Sequence, residues 1–254
     1  MGWASRANAK PQRELVLKQL DKNGQLRGAL PGEKRKNVGR PRKKHGRASE
    51  RHLPRVRFTS TRPLHVVMRV ARSVRNLRTE RMMFAIREAL ITLAKREGAF
   101  RIVHMSVQRK HLHLLVEASS NDALSAGMKA FGISAAKHLN AALPLVDGER
   151  RRGVVFPDRY HAVQLGTPTQ VRNCIAYVLN NWRHHGEDRG VTWRLDPFSS
   201  AVTFDGWRDA RDGQFVQPPG YIAPLVWAPT TWLLRQGWRK RGLIGSADVP
   251  GGVE

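Results

Sequence analysis

The alternation of apolar and polar positions becomes regular near residue 62. Leu64, Val66, Met68 and Val70 alternate with His65, Val67 and Arg69, a period of two that predicts a strand with one apolar face. Residues 79–97 switch to helical spacing, with Met83, Ile86, Leu90 and Leu93 on one side and Gly98 as the stop signal. Val103, Met105 and Val107 then alternate with His104, Ser106 and Gln108, giving a second strand. Arg109-Lys110 makes a short turn into a third, where Leu112, Leu114 and Val116 alternate with His111, His113 and Leu115, so these two strands should form an antiparallel hairpin. Residues 121–143 read as a second helix carrying Met128, Phe131, Ile133, Ala135 and Leu139, and a fourth strand falls within 154–165. The order is strand, helix, strand, strand, helix, strand: an α+β, ferredoxin-like (βαββαβ) antiparallel sheet with two helices on one face. In three of its strands the other face is polar (His65 and Arg69, His104 and Gln108, His111 and His113), which suits a nucleic acid, a metal or plain solvent.

A further helix follows. Thr167-Pro168-Thr169-Gln170 has capping-box spacing with proline at the first helical position. Val171, Ile175, Val178, Leu179 and Trp182 then form an apolar stripe, opposed by Gln170, Asn173, Cys174, Tyr177, Asn180, Asn181 and His184. That second face is polar yet nearly uncharged at its middle, which points to a site rather than to bulk solvent. Tyr177 and Asn181 are four apart and project together, while the strand period puts His111 and His113 side by side. Two imidazoles, an amide oxygen and a phenol would make a divalent-metal site with an oxygen nucleophile. A solvated strand face explains the histidine pair equally well, and a core-edge ring explains Tyr177. Glu117, on the histidine face but far along the strand, is an alternative ligand.

Charge changes the picture. A chain of 254 residues with a formal net charge of +25 calls for a polyanionic partner, with nucleic acid as the default. Residues 1–58 hold 17 Lys or Arg against 4 Asp or Glu and show little periodicity beyond a short helical pattern at 13–20, so a basic, mostly disordered DNA-binding arm is expected there. Within it, Gly39-Arg40-Pro41-Arg42-Lys43-Lys44 has the look of an AT-hook core as well as of an ordinary charge run. One cysteine, Cys174, leaves no internal disulfide framework and fits a reducing compartment. No long apolar run or signal-peptide pattern favours a membrane. Five of the seven tryptophans fall after residue 186, among arginines, where they could stack on bases or pack the tail back onto the domain. Residues 232–241 read as a short helix ending at Gly242. The expected divisions are 1–58, 59–186 and 187–254.

KHLHLLVEA at 110–118, RYH at 159–161 and YVLNN at 177–181, together with the segments 128–140, 196–207 and 231–244, resemble the single-tyrosine HUH transposases, with the REP-associated tyrosine transposases as the nearest branch. The resemblance covers about residues 62–244 and departs at Gln108-Arg109-Lys110, where the family often has Met-Pro-Asn. It implies a catalytic C-terminal helix, with His111, His113 and Asn181 as ligands of Mg²⁺ or Mn²⁺. It also implies that Tyr177 is a nucleophile forming a 5′-phosphotyrosine on single-stranded or hairpin DNA, as in palindromic repeats. Expected DNA contacts are Arg40, Arg42, Lys43, Lys44, Lys110, Lys129, Lys137, Arg159 and His161. A homodimer acting in the bacterial cytoplasm at the nucleoid follows by the same resemblance. A domesticated, non-catalytic nucleic-acid-binding protein and a replication-initiating HUH nuclease are the rival readings.

Overall fold

The computed structural model describes residues 57–96, 98–143, 151–209 and 220–248, together with two short strands, β1 (Gln19–Leu20) and β2 (Leu26–Arg27). The chain divides into two units, Met1–Ala48 and Ser49–Glu254. In the first, β1 pairs antiparallel with β2, so the end of the helix expected at 13–20 is extended instead. The other residues of that basic arm up to 56, including Arg40, Arg42, Lys43 and Lys44, lie outside the described residues.

The second unit holds the ferredoxin-like sheet. Its elements are β3 (Leu64–Arg69), α1 (Glu80–Ala94), β4 (Phe100–Val107), β5 (His111–Ala118), α2 (Asn121–Ala142) and β6 (His161–Gln164), followed by α3 (Pro168–His184) and α4 (Trp232–Arg235). The strand order is β4-β5-β3-β6, every pair antiparallel. Helix starts follow the local chemistry. Thr79 and Ser120 accept from the amides of Met82 and Ala123. Thr167 and Gln170 close a reciprocal capping box, with Pro168 just inside α3.

Helices α1 and α2 cover one face of the sheet. Leu64, Val66, Met105, Leu112, Leu114 and Val116 meet Ile86, Leu90, Met128 and Phe131 there in a wholly apolar cluster. The other face is not open as the alternation alone suggests. Helix α3 and the chain after residue 195 cover it, burying Leu115, Val171, Ile175, Leu179, Leu233 and Trp238 together. Val103 belongs to this second cluster, not to the first with Met105 and Val107. A bulge between Ile102 and His104 inserts one residue and turns Val103 to the α3 side.

The C-terminal segment also blocks the free edge of β4. Val107 N donates to Phe198 O (2.8 Å), Met105 N to Ser200 Oγ (3.0 Å) and Trp227 N to Ile102 O (2.9 Å), so the strand presents few unpaired groups to another chain. The helix expected over 232–241 is broken. Helix α4 stops at Arg235, and a 3-10 turn runs from Gly237 to Arg241. A Cβ at Gly237 would sit 2.7 Å from the Trp232 ring, and one at Gly206 would sit 2.3 Å from Trp238, so these crossings admit only glycine.

Candidate active site

The hairpin between β4 and β5 places the histidines. Gln108 N donates to His111 O (2.9 Å), closing a two-residue turn at Arg109-Lys110. Loop amides hold that turn: Leu77 N donates to Arg109 O (3.1 Å) and Val70 N to Lys110 O (3.0 Å). Arg109 pairs with Glu187, and the Lys110 ammonium reaches Val74 O at 3.5 Å. Glu187 also lies 4.0 Å from Arg78, which donates to both carboxylate oxygens of fully buried Asp196 (2.9 and 3.0 Å) and to Val107 O. Burial pushes Asp196 up, against the pull of Arg78.

From β5, His111 and His113 project to the α3 side with ring centroids 4.7 Å apart. From α3, Tyr177 sets its ring edge-on to His113, at 5.3 Å between centroids. His65 of β3 completes the cluster, its ring within 14° of parallel to that of His113 at 5.2 Å between centroids and edge-on to Tyr177 at 5.9 Å. Helix and strand therefore bring Tyr177 and the histidine pair together on the same side of the sheet. Asn181 lies one turn further along α3, fully buried, with neither side-chain atom hydrogen-bonded.

These groups are electrically quiet. Burial, then His161, brings His65 down to about 4, and burial, then His185 and Arg69, does the same to His111. His113 is held well below its ordinary value by burial first and by its histidine neighbours second. Neutral imidazoles have free lone pairs, the state a metal requires. Buried polar atoms normally find partners. Here His113 Nε2, Asn181 Oδ1 and Asn181 Nδ2 are buried without one. Among the described residues no group of three or more His, Cys, Asp or Glu is arranged to hold a metal, so an ion would need the Asn181 amide beside the two imidazoles. That donor set, neutral nitrogens with one carbonyl-type oxygen, fits a divalent ion with open positions.

Other residues of interest fall elsewhere. The Glu117 carboxylate is taken up by Thr230 and Thr231, accepting from both backbone amides (2.8–3.1 Å) and both hydroxyls (2.6 and 2.8 Å), so it is an anchor for the C-terminal segment and not a ligand. Asn180 likewise donates to Gly245 O and Asp248 O, and Cys174 is buried among apolar residues, its thiol pushed up by burial. On the polar α3 face Asn180 thus holds the tail. Arg172 and Arg183 do the same from the flanks, through Gly242 O, Leu243 O and Ser246 O.

Lys129 and Lys137 are exposed on α2, in the helical layer across the sheet from Tyr177. Arg159 and His161 are exposed at the start of β6. Tyr221 donates its hydroxyl to Ser199 O (3.4 Å). His185, the C-cap of α3, reads from the sequence only as a solvated helix end, yet its ring lies 5.5 Å from His111, and His184 lies 6.2 Å from Tyr177. His65 reads from the sequence only as one more polar strand position, and the spacing within β3 carries no sign of its partner.

Comparison with known proteins bears on this geometry. Residues 59–181 match the family model described as "Transposase IS200 like", a span from the start of the sheet domain to Asn181 itself. Two solved structures are similar. One is a REP-associated tyrosine transposase bound to a REP hairpin, 17% identical, with 61% of this chain and 84% of that one covered at a TM-score of 0.47. The other is a protein assigned as a transposase from Deinococcus radiodurans R1, 14% identical, with 56% and 97% covered at a TM-score of 0.34. No curated protein matches the chain. The match over residues 59–181 encloses both histidines, Tyr177 and Asn181, and makes this part of the chain similar to the IS200-like transposases.

Proposed function

We propose that this protein is a transposase that nicks and rejoins single-stranded DNA with Tyr177 as the nucleophile and a divalent ion, Mg²⁺ or Mn²⁺, held by His111, His113 and Asn181. One observation carries the reading: the Tyr177 ring stands 5.3 Å from His113, whose Nε2 is buried and unpartnered, as is the Asn181 carboxamide. When bound, the ion supplies positive charge against the oxygens of the scissile phosphate. The protein supplies the rest. Helix α3 fixes Tyr177 from its buried stripe, so the phenol approaches from a rigid element. Its oxygen attacks phosphorus in line and loses its proton, and the bond to the 3′-oxygen breaks. The products are a 5′-phosphotyrosine and a free 3′-hydroxyl. Rejoining is the reverse, with a second strand's 3′-hydroxyl displacing the tyrosine, and the ester conserves the energy of the broken bond.

Arg69 lies across from His111 in the strand register and is exposed, as are Arg109 and Lys110 at the hairpin turn, which supports a role for all three in meeting the phosphates beside the site. A hairpin-bearing single strand is the proposed substrate, because a phenol seated on a helix against a sheet needs an unpaired backbone. The test is covalent capture. Full-length protein with Mn²⁺ and a hairpin-bearing oligonucleotide should give a denaturant-resistant protein–DNA adduct. Tyr177→Phe should lose it by at least a thousandfold, on the order of 4 kcal/mol in the barrier, and still bind the DNA. An adduct that survives in Tyr177→Phe removes Tyr177 as the nucleophile, and no adduct in wild type despite tight binding leaves a binder without this chemistry.

A further inference from the structure

We propose that His65 is a positioning residue that fixes the tautomer and orientation of His113 and thereby sets the metal affinity of the site. The inference rests on His113 being a metal ligand. His65 Nε2 and His113 Nδ1 are 3.0 Å apart and buried, His65 being 6% and His113 4% exposed. In the register of β3 against β5, His65 lies opposite Leu115 and Val67 opposite His113, so the two rings are diagonal neighbours on one face, within reach of long side chains.

Two uncharged imidazoles share one hydrogen between these nitrogens, and there are two ways to place it. If His65 Nε2 donates, His113 carries its own hydrogen on Nε2, the atom that is buried with no partner. That strands an N–H donor away from water, which native structures rarely tolerate. If His113 Nδ1–H donates to His65 Nε2, only a bare lone pair is left at His113 Nε2. The second arrangement satisfies the buried donor and presents an acceptor ready for a cation. An imidazole ligand that donates its other N–H to a fixed acceptor is oriented and made more basic, and loss of such an acceptor weakens metal binding by about 10–100-fold. The rings lie within 14° of parallel, as an in-plane N–H···N bond allows, and this bond and the edge contact of His65 with Tyr177 hold the ligand and the nucleophile to one rigid neighbour.

Glutamine at position 65 can offer an oxygen acceptor in place of Nε2; leucine cannot. Mn²⁺ affinity measured by calorimetry on the full chain should fall about 10–100-fold in His65→Leu and stay within about threefold of wild type in His65→Gln, with His113→Ala as the control for the ligand itself. Equal Mn²⁺ affinity in wild type and a folded His65→Leu overturns the positioning role while leaving the ligand assignment intact. No His113-dependent Mn²⁺ binding in wild type overturns both. A metal-free readout is independent of whether His65→Leu folds. The ¹⁵N shifts of the wild-type His113 ring should report the Nδ1–H tautomer, and the Nε2–H tautomer would overturn the proposal.

Discussion

The two faces of the sheet are built by different means. On the α1/α2 face, Leu112, Leu114 and Val116 meet Ile86, Leu90 and Phe131, each fully or almost fully buried, with apolar contact as the binding force. On the α3 face, apolar packing is interleaved with directed polar contacts: Glu117 to Thr230 and Thr231, Asn180 to Gly245 and Asp248, Arg78 to Asp196. The first face requires only volume and period. The second requires named donors to meet named acceptors, some more than a hundred residues away. It is also where His113 and Asn181 keep buried polar atoms unpaired. A fold can carry such unpaired groups only when the rest is over-determined, and the apolar layer behind the sheet supplies that margin.

Three experiments would break or sharpen this contrast. The largest effect is expected from Phe131→Ala, which removes a fully buried ring from the apolar face and should cost about 3–5 kcal/mol in denaturant unfolding. The Mn²⁺ affinity of the folded protein should not change, and if it does the two faces are not independent. Next, Glu117→Ala strands the amides of Thr230 and Thr231 and should cost about 2–3 kcal/mol. Hydrogen exchange should then speed up over 230–241 and remain slow in α1 and α2; uniform loss of protection would show that the anchor serves the whole domain.

The smallest effect concerns acid. His104, on the α3 face, is brought down to about 4, by burial first and against the pull of Asp205 and Glu117. Between its ordinary value of 6.5 and 4 the unfolded chain binds the extra proton and the folded one does not. The stability tied to a neutral His104 is therefore complete above pH 6.5 and is lost as pH falls toward 4. His104→Gln should flatten the fall of the urea midpoint across that window, and an unchanged slope would remove His104 from the account.

Much of the apolar face could be read from the chain. The alternation of Leu112, Leu114 and Val116, the spacing of Met83, Ile86 and Leu90, and the Thr167/Gln170 box each report a local period or a contact three residues away. The same kind of reading put His111 beside His113 and Tyr177 beside Asn181. It failed where the decisive partner is distant. The bulge that turns Val103 to the other side is a property of the pairing with β5, invisible in an alternation that continues unbroken on paper. Glu117 looked like a spare ligand because Thr230 and Thr231 are more than a hundred positions away.

Sequence alone determined the strands and helices of the sheet domain, their ferredoxin-like order and the two residue pairs of the candidate site, because each is written in separations of two to four residues that backbone geometry converts into a shared face. Tertiary structure decided which pair meets which. His65 against His113 depends on the register of two strands 48 residues apart, and the closure of the polar face depends on a tail that folds back over α3. Long-range register is selected by the summed packing of the whole sheet, so no local pattern can encode it.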